Sequence, residues 1–301
     1  MVHTLMQSFE IWMWLAAWPA FLYLYFTVEL TRTLKDNPYA EGLLLVIASD
    51  HCRDMPKLTG IQAAVTELAN LFHKFNYAIY SPPVNSIEDE QYLKALIEAV
   101  IACMNQLPQS YRRLFVYCTG HGGVKEIYLP GGRAHESLLF QLLGVSDLTK
   151  VLIIDACRNG QEEYEWKEKD IPTRNNVMII YSTMMGTEAF ADSRTGGLMT
   201  RALIEHLRCD ALSLPDIMTR VTQDVQKTSN GQMHPTCLVC GLQDDINLLQ
   251  EYQKKSELLM KVCIHCLIVH ALVAISTSGS IRTLEASYSV GEMLWVKSLY
   301  V

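Results

Sequence analysis

The sequence lacks the charge pattern of a nucleic-acid-binding protein. Its 301 residues carry 25 Lys and Arg against 32 Asp and Glu, which gives a formal net charge of −7 at pH 7. No basic stripe or cluster interrupts this acidic balance. Since the phosphate backbone is bound through concentrated positive charge, we expect no nucleic-acid partner. Internal repeats are absent as well, which argues against a solenoid.

The nine cysteines lack the spacing of a disulfide framework, and their odd number argues against complete pairing. A reducing, cytoplasmic compartment fits this usage. Two C-x-x-C pairs, Cys237 with Cys240 and Cys263 with Cys266, have the form of zinc-ribbon ligand pairs. However, the first pair lies in TCLVC, which is typical of a strand and has no glycine-bearing knuckle. We therefore predict no metal and no other cofactor.

Charge is missing altogether from residues 11–28, IWMWLAAWPAFLYLYFTV. Such a run is about the minimum for a membrane-spanning helix, and its Trp and Tyr residues suit a membrane interface. Pro19 would kink the helix. Basic residues begin after the run, at Arg32 and Lys35, so the positive-inside tendency puts the rest of the chain in the cytosol. Two alternatives stay open, a membrane anchor and a buried or interfacial helix.

A second uncharged run, residues 262–281, is rich in Ser, Thr and Gly in its second half, which makes a membrane span a weaker interpretation there. These two runs flank a region of ordinary globular composition. We accordingly divide the chain into a hydrophobic N-terminal segment with a linker (1–42), a central domain (43–248) and an unassigned tail (249–301).

The central region alternates short apolar runs with helical periodicity. Residues 43–48, 114–118, 151–154 and 177–181 are typical of buried strands, and residues 61–75 place apolar side chains at three- and four-residue steps. Strands that alternate with helices predict an α/β fold, with a largely parallel sheet and helices on both of its faces.

Reactive side chains follow two of these predicted strands. His121 lies in YCTGHGG and Cys157 in VLIIDACRNG, where Asp155 precedes the cysteine by two residues. In open α/β sheets, sites form at the carboxyl ends of strands. A thiol that attacks a carbonyl needs a base such as histidine and donors for the oxyanion, for which the Gly122 and Cys157 amides are candidates. Either motif alone is more often structural, but together they predict a nucleophile–base pair.

The succession of YCTGHGG and IIDACRNG resembles the catalytic histidine and cysteine motifs of the caspase clan of cysteine proteases, and within it the paracaspases. Residues 56–72 resemble the first paracaspase helix with its lead-in, residues 186–207 the segment after the sixth strand, and residues 233–248 the closing strand. The likeness covers about residues 43–248.

The resemblance implies a caspase-like three-layer α/β/α sandwich. It implies His121 as base, Cys157 as nucleophile, and the Gly122 and Cys157 amides as the oxyanion hole. It also implies a cysteine endopeptidase that acts on protein or peptide substrates, with a role in signalling or cell death and as a homodimer through the edge strand of its small subunit.

Asp155 occupies the position at which paracaspases carry an aspartate and cleave after Arg or Lys. Aspartate-cutting caspases have a basic residue where this chain has Leu58, which counts against cleavage after aspartate. The remaining acids of the paracaspase pocket correspond to Ala64 and Ala191, and Asp192 is the neighbouring acid that could substitute. The alternative for Asp155 is a structural carboxylate at a strand end.

Two further hypotheses concern regulation. The charged segment 161–176 lies where the clan joins its large and small subunits, so an enzyme that prefers basic residues could cleave itself there; an ordinary solvated loop is the alternative. The competing hypothesis for the whole chain is a catalytically silent caspase-fold scaffold, tethered to a membrane and acting through interactions.

Overall fold

A computed structural model describes residues 2–106, 111–145, 148–159, 176–192, 194, 196–243 and 245–278, with side chains between residues 17 and 270. The chain divides into two units, Met1–Leu249 and Gln250–Val301. The domain boundaries predicted at residues 42 and 248 stay predictions. The self-cleavage hypothesis concerns a segment that, apart from Asn176, lies outside the described residues.

The first unit contains the strands and most of the helices. The strands are β1 (Gly42–Ala48), β2 (Tyr77–Tyr80), β3 (Arg113–Thr119), β4 (Gly122–Gly123), β5 (Glu126–Leu129), β6 (Gly132–His135), β7 (Thr149–Asp155), β8 (Val177–Tyr181), β9 (Ala191–Asp192), β10 (Gly196–Gly197) and β11 (Thr236–Cys240). The helices are α1 (Val2–Asp36), α2 (Ile61–Lys74), α3 (Glu90–Met104), α4 (Ser137–Phe140), α5 (Leu198–Cys209), α6 (Leu214–Thr228) and α7 (Leu248–Ser278).

A six-stranded sheet in the order β11-β8-β7-β3-β1-β2 forms the middle layer. Neighbours from β8 to β2 are parallel, whereas β11 pairs with β8 antiparallel. Every residue of β1, β3, β7 and β8 is buried, as expected for strands that are covered on both faces. The predicted, largely parallel sheet is confirmed.

Helices cover both faces of this sheet. Apolar side chains of α1 and α3 form one core with the sheet, and those of α2, α5 and α6 form a second core on the opposite face. The three-layer α/β/α sandwich is therefore confirmed. Local sequence also sets the helix ends: the Ser213 hydroxyl accepts a hydrogen bond from the Asp216 N–H ahead of Pro215 in the first turn of α6.

Two small sheets are present in addition to the main sheet and were not predicted from the sequence. Strands β4, β5 and β6 form an antiparallel meander directly after His121, and β9 pairs with β10. These strands have two to four residues each, which is too short for an alternation of apolar and polar side chains to be recognised.

Helix α1 belongs to the first unit and packs on α3 along one side. Leu22, Phe26, Leu30 and Leu34, spaced by four residues, are at most 5% exposed. Of the helices within the described ranges, none combines the length and the apolarity that a membrane crossing requires.

Candidate active site

Backbone hydrogen bonds hold the carboxyl ends of four strands in one frame. The Ser49 N–H after β1 donates to Thr119 O at 3.0 Å, and the Gly120 N–H after β3 donates to Asp155 O at 3.3 Å. The Ser182 N–H after β8 donates to Ile154 O at 3.0 Å. The segments that follow β3 and β7 therefore start from fixed, adjacent positions.

His121 is placed by the turn that ends β3. Gly120 has a φ of 151° and lies so close to β1 that a Cβ there would be 2.6 Å from Ser49 O, so only glycine fits. The imidazole is 6% exposed, and its Nε2 lies 2.7 Å from Pro56 O. Because a carbonyl only accepts, Nε2 carries the hydrogen, which leaves Nδ1 with the lone pair of a base.

Gly122 brings the histidine segment against the cysteine segment. A Cβ at Gly122 would be 2.7 Å from Cys157 O and 2.9 Å from the Ala156 Cβ. Glycine is therefore required at this position, because the Cys157 carbonyl oxygen and the Ala156 Cβ lie too close for a side chain. The amides of Gly122 and Cys157, both predicted oxyanion donors, belong to chain segments that touch.

The Cys157 thiol is half-buried beside the segment that follows β8. Its Sγ lies 3.4 Å from the Ala189 N–H and 3.7 Å from the Ala189 carbonyl oxygen. Burial raises the pKa of the Cys157 thiol, and the Ala189 N–H opposes this effect. The thiol is thus protonated near neutral pH, so that attack on a carbonyl requires a base to take the proton.

His121, Cys157 and Asp155 line one cavity of about 40 Å³ at this edge of the sheet. Its apolar wall consists of Leu58, Ile61, Ala156, Ala189, Phe190 and Ala191. The three polar side chains, predicted from two separate motifs, are thereby brought together. The cavity is much smaller than an ordinary ligand pocket of about 300–1,000 Å³.

Asp155 is 5% exposed and its carboxylate has hydroxyl partners. The Thr200 hydroxyl donates to Oδ2, and the Tyr117 hydroxyl lies 2.9 Å from that of Thr200. Burial raises the pKa of Asp155, while hydrogen bonds from Thr200, Ser182 and Tyr117 lower it. A Cβ at Gly197 would be 2.0 Å from Oδ2, so the carboxylate packs directly on the backbone of β10.

Residues 41–246 match the caspase domain family. The chain belongs to the caspase family. Its fold is similar to that of caspase-1 from Spodoptera frugiperda, with a TM-score of 0.55 and 16% sequence identity over 66% of this chain and 88% of the other. No curated protein sequence matches the chain. The family supports a cysteine peptidase of the caspase clan, and the likeness to the insect caspase supports the fold.

Asp192 is the other residue predicted to bind substrate, and Leu58, Ala64 and Ala191 are the positions at which the chain departs from the related pockets. Leu58 and Ala191 line the cavity, whereas Asp192 is not among the described residues of its wall. The Asp192 carboxylate instead accepts a hydrogen bond from the Arg194 N–H at 2.8 Å. Ala64 is buried beneath β10, where a Cβ at Gly196 would be 2.7 Å from its own Cβ.

Several residues of the site were missed by the sequence analysis. Pro56 and Ala189 act through backbone groups, which have no sequence signature. Thr200 had a signal, since it is a polar residue on the buried face of α5. Arg158 follows Cys157 in VLIIDACRNG, but the sequence does not indicate its burial against Glu136.

The two C-x-x-C pairs have the spacing of zinc ligands. No group of three or more His, Cys, Asp or Glu side chains within the described ranges is arranged to hold a metal ion. Cys237 and Cys240 lie on β11, as the strand pattern of TCLVC predicted.

Proposed function

We propose that this caspase-family chain is a cysteine endopeptidase with Cys157 as nucleophile and His121 as general base. The single observation that carries the proposal is the shared cavity: both side chains line it at the carboxyl ends of the adjacent strands β3 and β7. Nε2 of His121 donates its hydrogen to Pro56 O, so Nδ1 of the same ring is the atom that accepts the thiol proton.

The first half of the reaction forms a thioester. Nδ1 of His121 takes the thiol proton, and Sγ attacks the carbonyl carbon of the scissile bond. The oxyanion accepts hydrogen bonds from the Gly122 and Cys157 amides. The imidazolium then gives its proton to the leaving amine as the C–N bond breaks, which releases the first product.

The second half uses water. His121 takes a proton from a water molecule, whose oxygen attacks the thioester carbonyl. Collapse of the second oxyanion breaks the C–S bond and returns the proton to Sγ. The products are a carboxylic acid and the free thiol, and no co-reactant beyond water is consumed.

We propose further that the residue before the cleaved bond is Arg or Lys. Asp155 is the carboxylate among the described residues that line the cavity, and Leu58, which also lines it, brings no positive charge. Opposite charges attract strongly where water is excluded. Because the cavity measures only about 40 Å³, binding of a long cationic side chain requires the cavity to widen.

The cellular setting is proposed by analogy with the family: the domain faces the cytosol, acts in signalling or cell death, and forms a homodimer through β11. The sheet order supports the last point, since β11 is an edge strand of the sheet. A second candidate function, the silent scaffold, is favoured by the small cavity and by the contact of Sγ with Ala189.

Peptide substrates that differ only before the cleaved bond test the proposal on the full chain. Cleavage after Arg or Lys is expected, with loss of at least about 1,000-fold in both Cys157→Ala and His121→Ala. Asp155→Asn should weaken cleavage after Arg more than after a neutral residue. Cleavage only after Asp would overturn the pocket assignment. No turnover, with a thiol inert to a peptide electrophile that carries Arg, would favour the scaffold.

Gly122→Ala tests the oxyanion hole by forcing its two segments apart. A matched control is Gly132→Ala, because a Cβ at Gly132 meets nothing within 4 Å. We expect Gly122→Ala to lower kcat by about 100-fold or more, as loss of one oxyanion donor does, and Gly132→Ala to leave kcat unchanged. Equal kcat values in the two variants would contradict the assignment.

A further inference from the structure

Helix α1 has two apolar sides between residues 18 and 34, and the described residues cover one of them. The side that packs on α3 carries Leu22, Phe26, Leu30 and Leu34. The other side leaves Trp18, Phe21, Leu24, Tyr25 and Val28 between 39% and 60% exposed. Single exposed apolar residues need no explanation, but five on adjacent turns form a continuous patch, which marks an interaction site.

A groove runs beside this patch. It has a volume of about 450 Å³ and is lined by Trp18, Phe21, Tyr25, Pro82, Pro83 and Tyr92. Trp18 stacks on Phe21 and meets Tyr92 edge-on, with centroid distances of 5.6 Å and 6.1 Å. The patch and the groove together form one aromatic surface, which we call the α1 face.

The chemistry of the α1 face indicates its partner. No charged side chain occurs from residue 11 to residue 28, and the first one, Glu29, lines one end of the groove. A protein interface carries about one hydrogen bond per 100–200 Å² and a polar rim. The exposed patch has only the Tyr25 hydroxyl and the Trp18 indole as polar side-chain groups, and the groove adds Ser81, Ser86 and Glu29 with its tyrosines. Trp and Tyr are the residues that partition to the headgroup level of a bilayer.

We propose that the α1 face docks the first unit onto the surface of a zwitterionic lipid bilayer. The helix lies along the surface, because its opposite side is occupied by α3 and cannot face lipid at the same time. The exposed rings enter the boundary between headgroups and acyl chains, as in other interfacial helices. Neutral lipid is preferred, since the α1 face has no Lys or Arg and one carboxylate at its end. The proposal is independent of the peptidase activity.

Flotation of the full chain with phosphatidylcholine vesicles tests the docking. The test variant is the triple Trp18→Ser, Phe21→Ser and Leu24→Ser, whose side chains are exposed enough to be changed without unfolding the domain. Loss of each side chain should lower the partition coefficient of the protein between vesicles and water roughly tenfold, and the triple variant should lower it at least about 100-fold. The matched control is Tyr39→Ser, an aromatic residue that is 85% exposed outside the α1 face.

Each outcome decides the proposal. Binding by the wild type and by Tyr39→Ser, together with loss in the triple variant, supports it, provided that the melting curves of the three proteins agree. Equal binding by all three proteins would assign lipid contact to another segment and overturn the proposal. Absence of vesicle binding, with a concentration-dependent dimer that the triple variant abolishes, would identify a second copy of the chain as the occupant.

Discussion

Arg158 follows the proposed nucleophile and is almost completely buried. Its guanidinium Nη2 lies 3.7 Å from Oε1 of Glu136, and its Cζ lies 3.8 Å above the ring of Tyr181. The two charged side chains are 4% and 5% exposed. Burial raises the pKa of Glu136, while the charge of Arg158 lowers it. The side chain of Arg158 thus ties the segment after β7 to the start of α4 and to β8.

Removal of one member of this buried ion pair should be costly, because the other charge is left without its counter-ion. We expect Glu136→Gln to reduce the free energy of unfolding by about 3–5 kcal/mol. The double substitution Glu136→Gln and Arg158→Met should reduce the free energy of unfolding by less than Glu136→Gln alone, because it removes both charges. Urea unfolding measures both effects.

The chain offers a matched pair as a control. Arg133 and Glu126 lie 3.2 Å apart, and Arg133 is stacked 4.7 Å above Tyr128, but the two charged side chains are 63% and 37% exposed. An exposed pair contributes less than about 1 kcal/mol. If Glu126→Gln were as destabilising as Glu136→Gln, burial would not be the reason for the effect.

At the scale of secondary-structure elements, α5 and α6 are joined by an ionisable contact. His206 of α5 has its Nδ1 2.6 Å from Asp210 and its Nε2 2.8 Å from Asp224 of α6. Burial alone lowers the pKa of His206, but the hydrogen bonds to both carboxylates outweigh it and raise the pKa above 6.5. The protonated histidine therefore bridges the two helices.

This contact predicts a dependence of stability on pH. Since the pKa of His206 is higher in the folded than in the unfolded protein, its contribution is complete below about pH 6.5 and is lost as the pH rises through the raised value. Since the Asp224 side chain is 57% exposed, solvent limits the contribution of this contact to less than about 1 kcal/mol. Urea unfolding at pH 6 and pH 9 should show this loss in the wild type but not in His206→Gln. His234→Gln, whose histidine contacts Gln226, should retain it.

Much of the fold was predictable from the sequence because its signals are local. Four strands of the sheet and helix α6 follow from apolar runs, helical periodicity and the Ser213 cap. The meander β4–β6 was not predictable, because strands of two to four residues show no period. The contact of His121 with Pro56 joins residues 65 positions apart through a carbonyl oxygen, and a backbone atom leaves no trace in the sequence.

At the scale of the whole molecule, β11 predicts self-association, because it is an edge strand of the sheet in the part of the chain that the structure describes. Val239 on this strand is 45% exposed. A charge on an edge strand discourages pairing with another edge. Val239→Lys should therefore raise the dissociation constant of the dimer by about tenfold or more in sedimentation equilibrium, whereas Tyr39→Lys should not. A monomeric wild type over the whole concentration range would contradict the proposed dimer.

The backbone hydrogen bonds that join the carboxyl ends of the strands, here called the strand-end frame, bear on how this family diverges. These bonds, such as Gly120 N–H to Asp155 O, join backbone atoms, and any residue except proline can donate them. These hydrogen bonds themselves place no demand on the side chains, except where glycine or a reactive group is required. Mutations can accumulate over long evolutionary times while the loops keep their starting points. A chain with 16% identity to an insect caspase can therefore retain the same architecture.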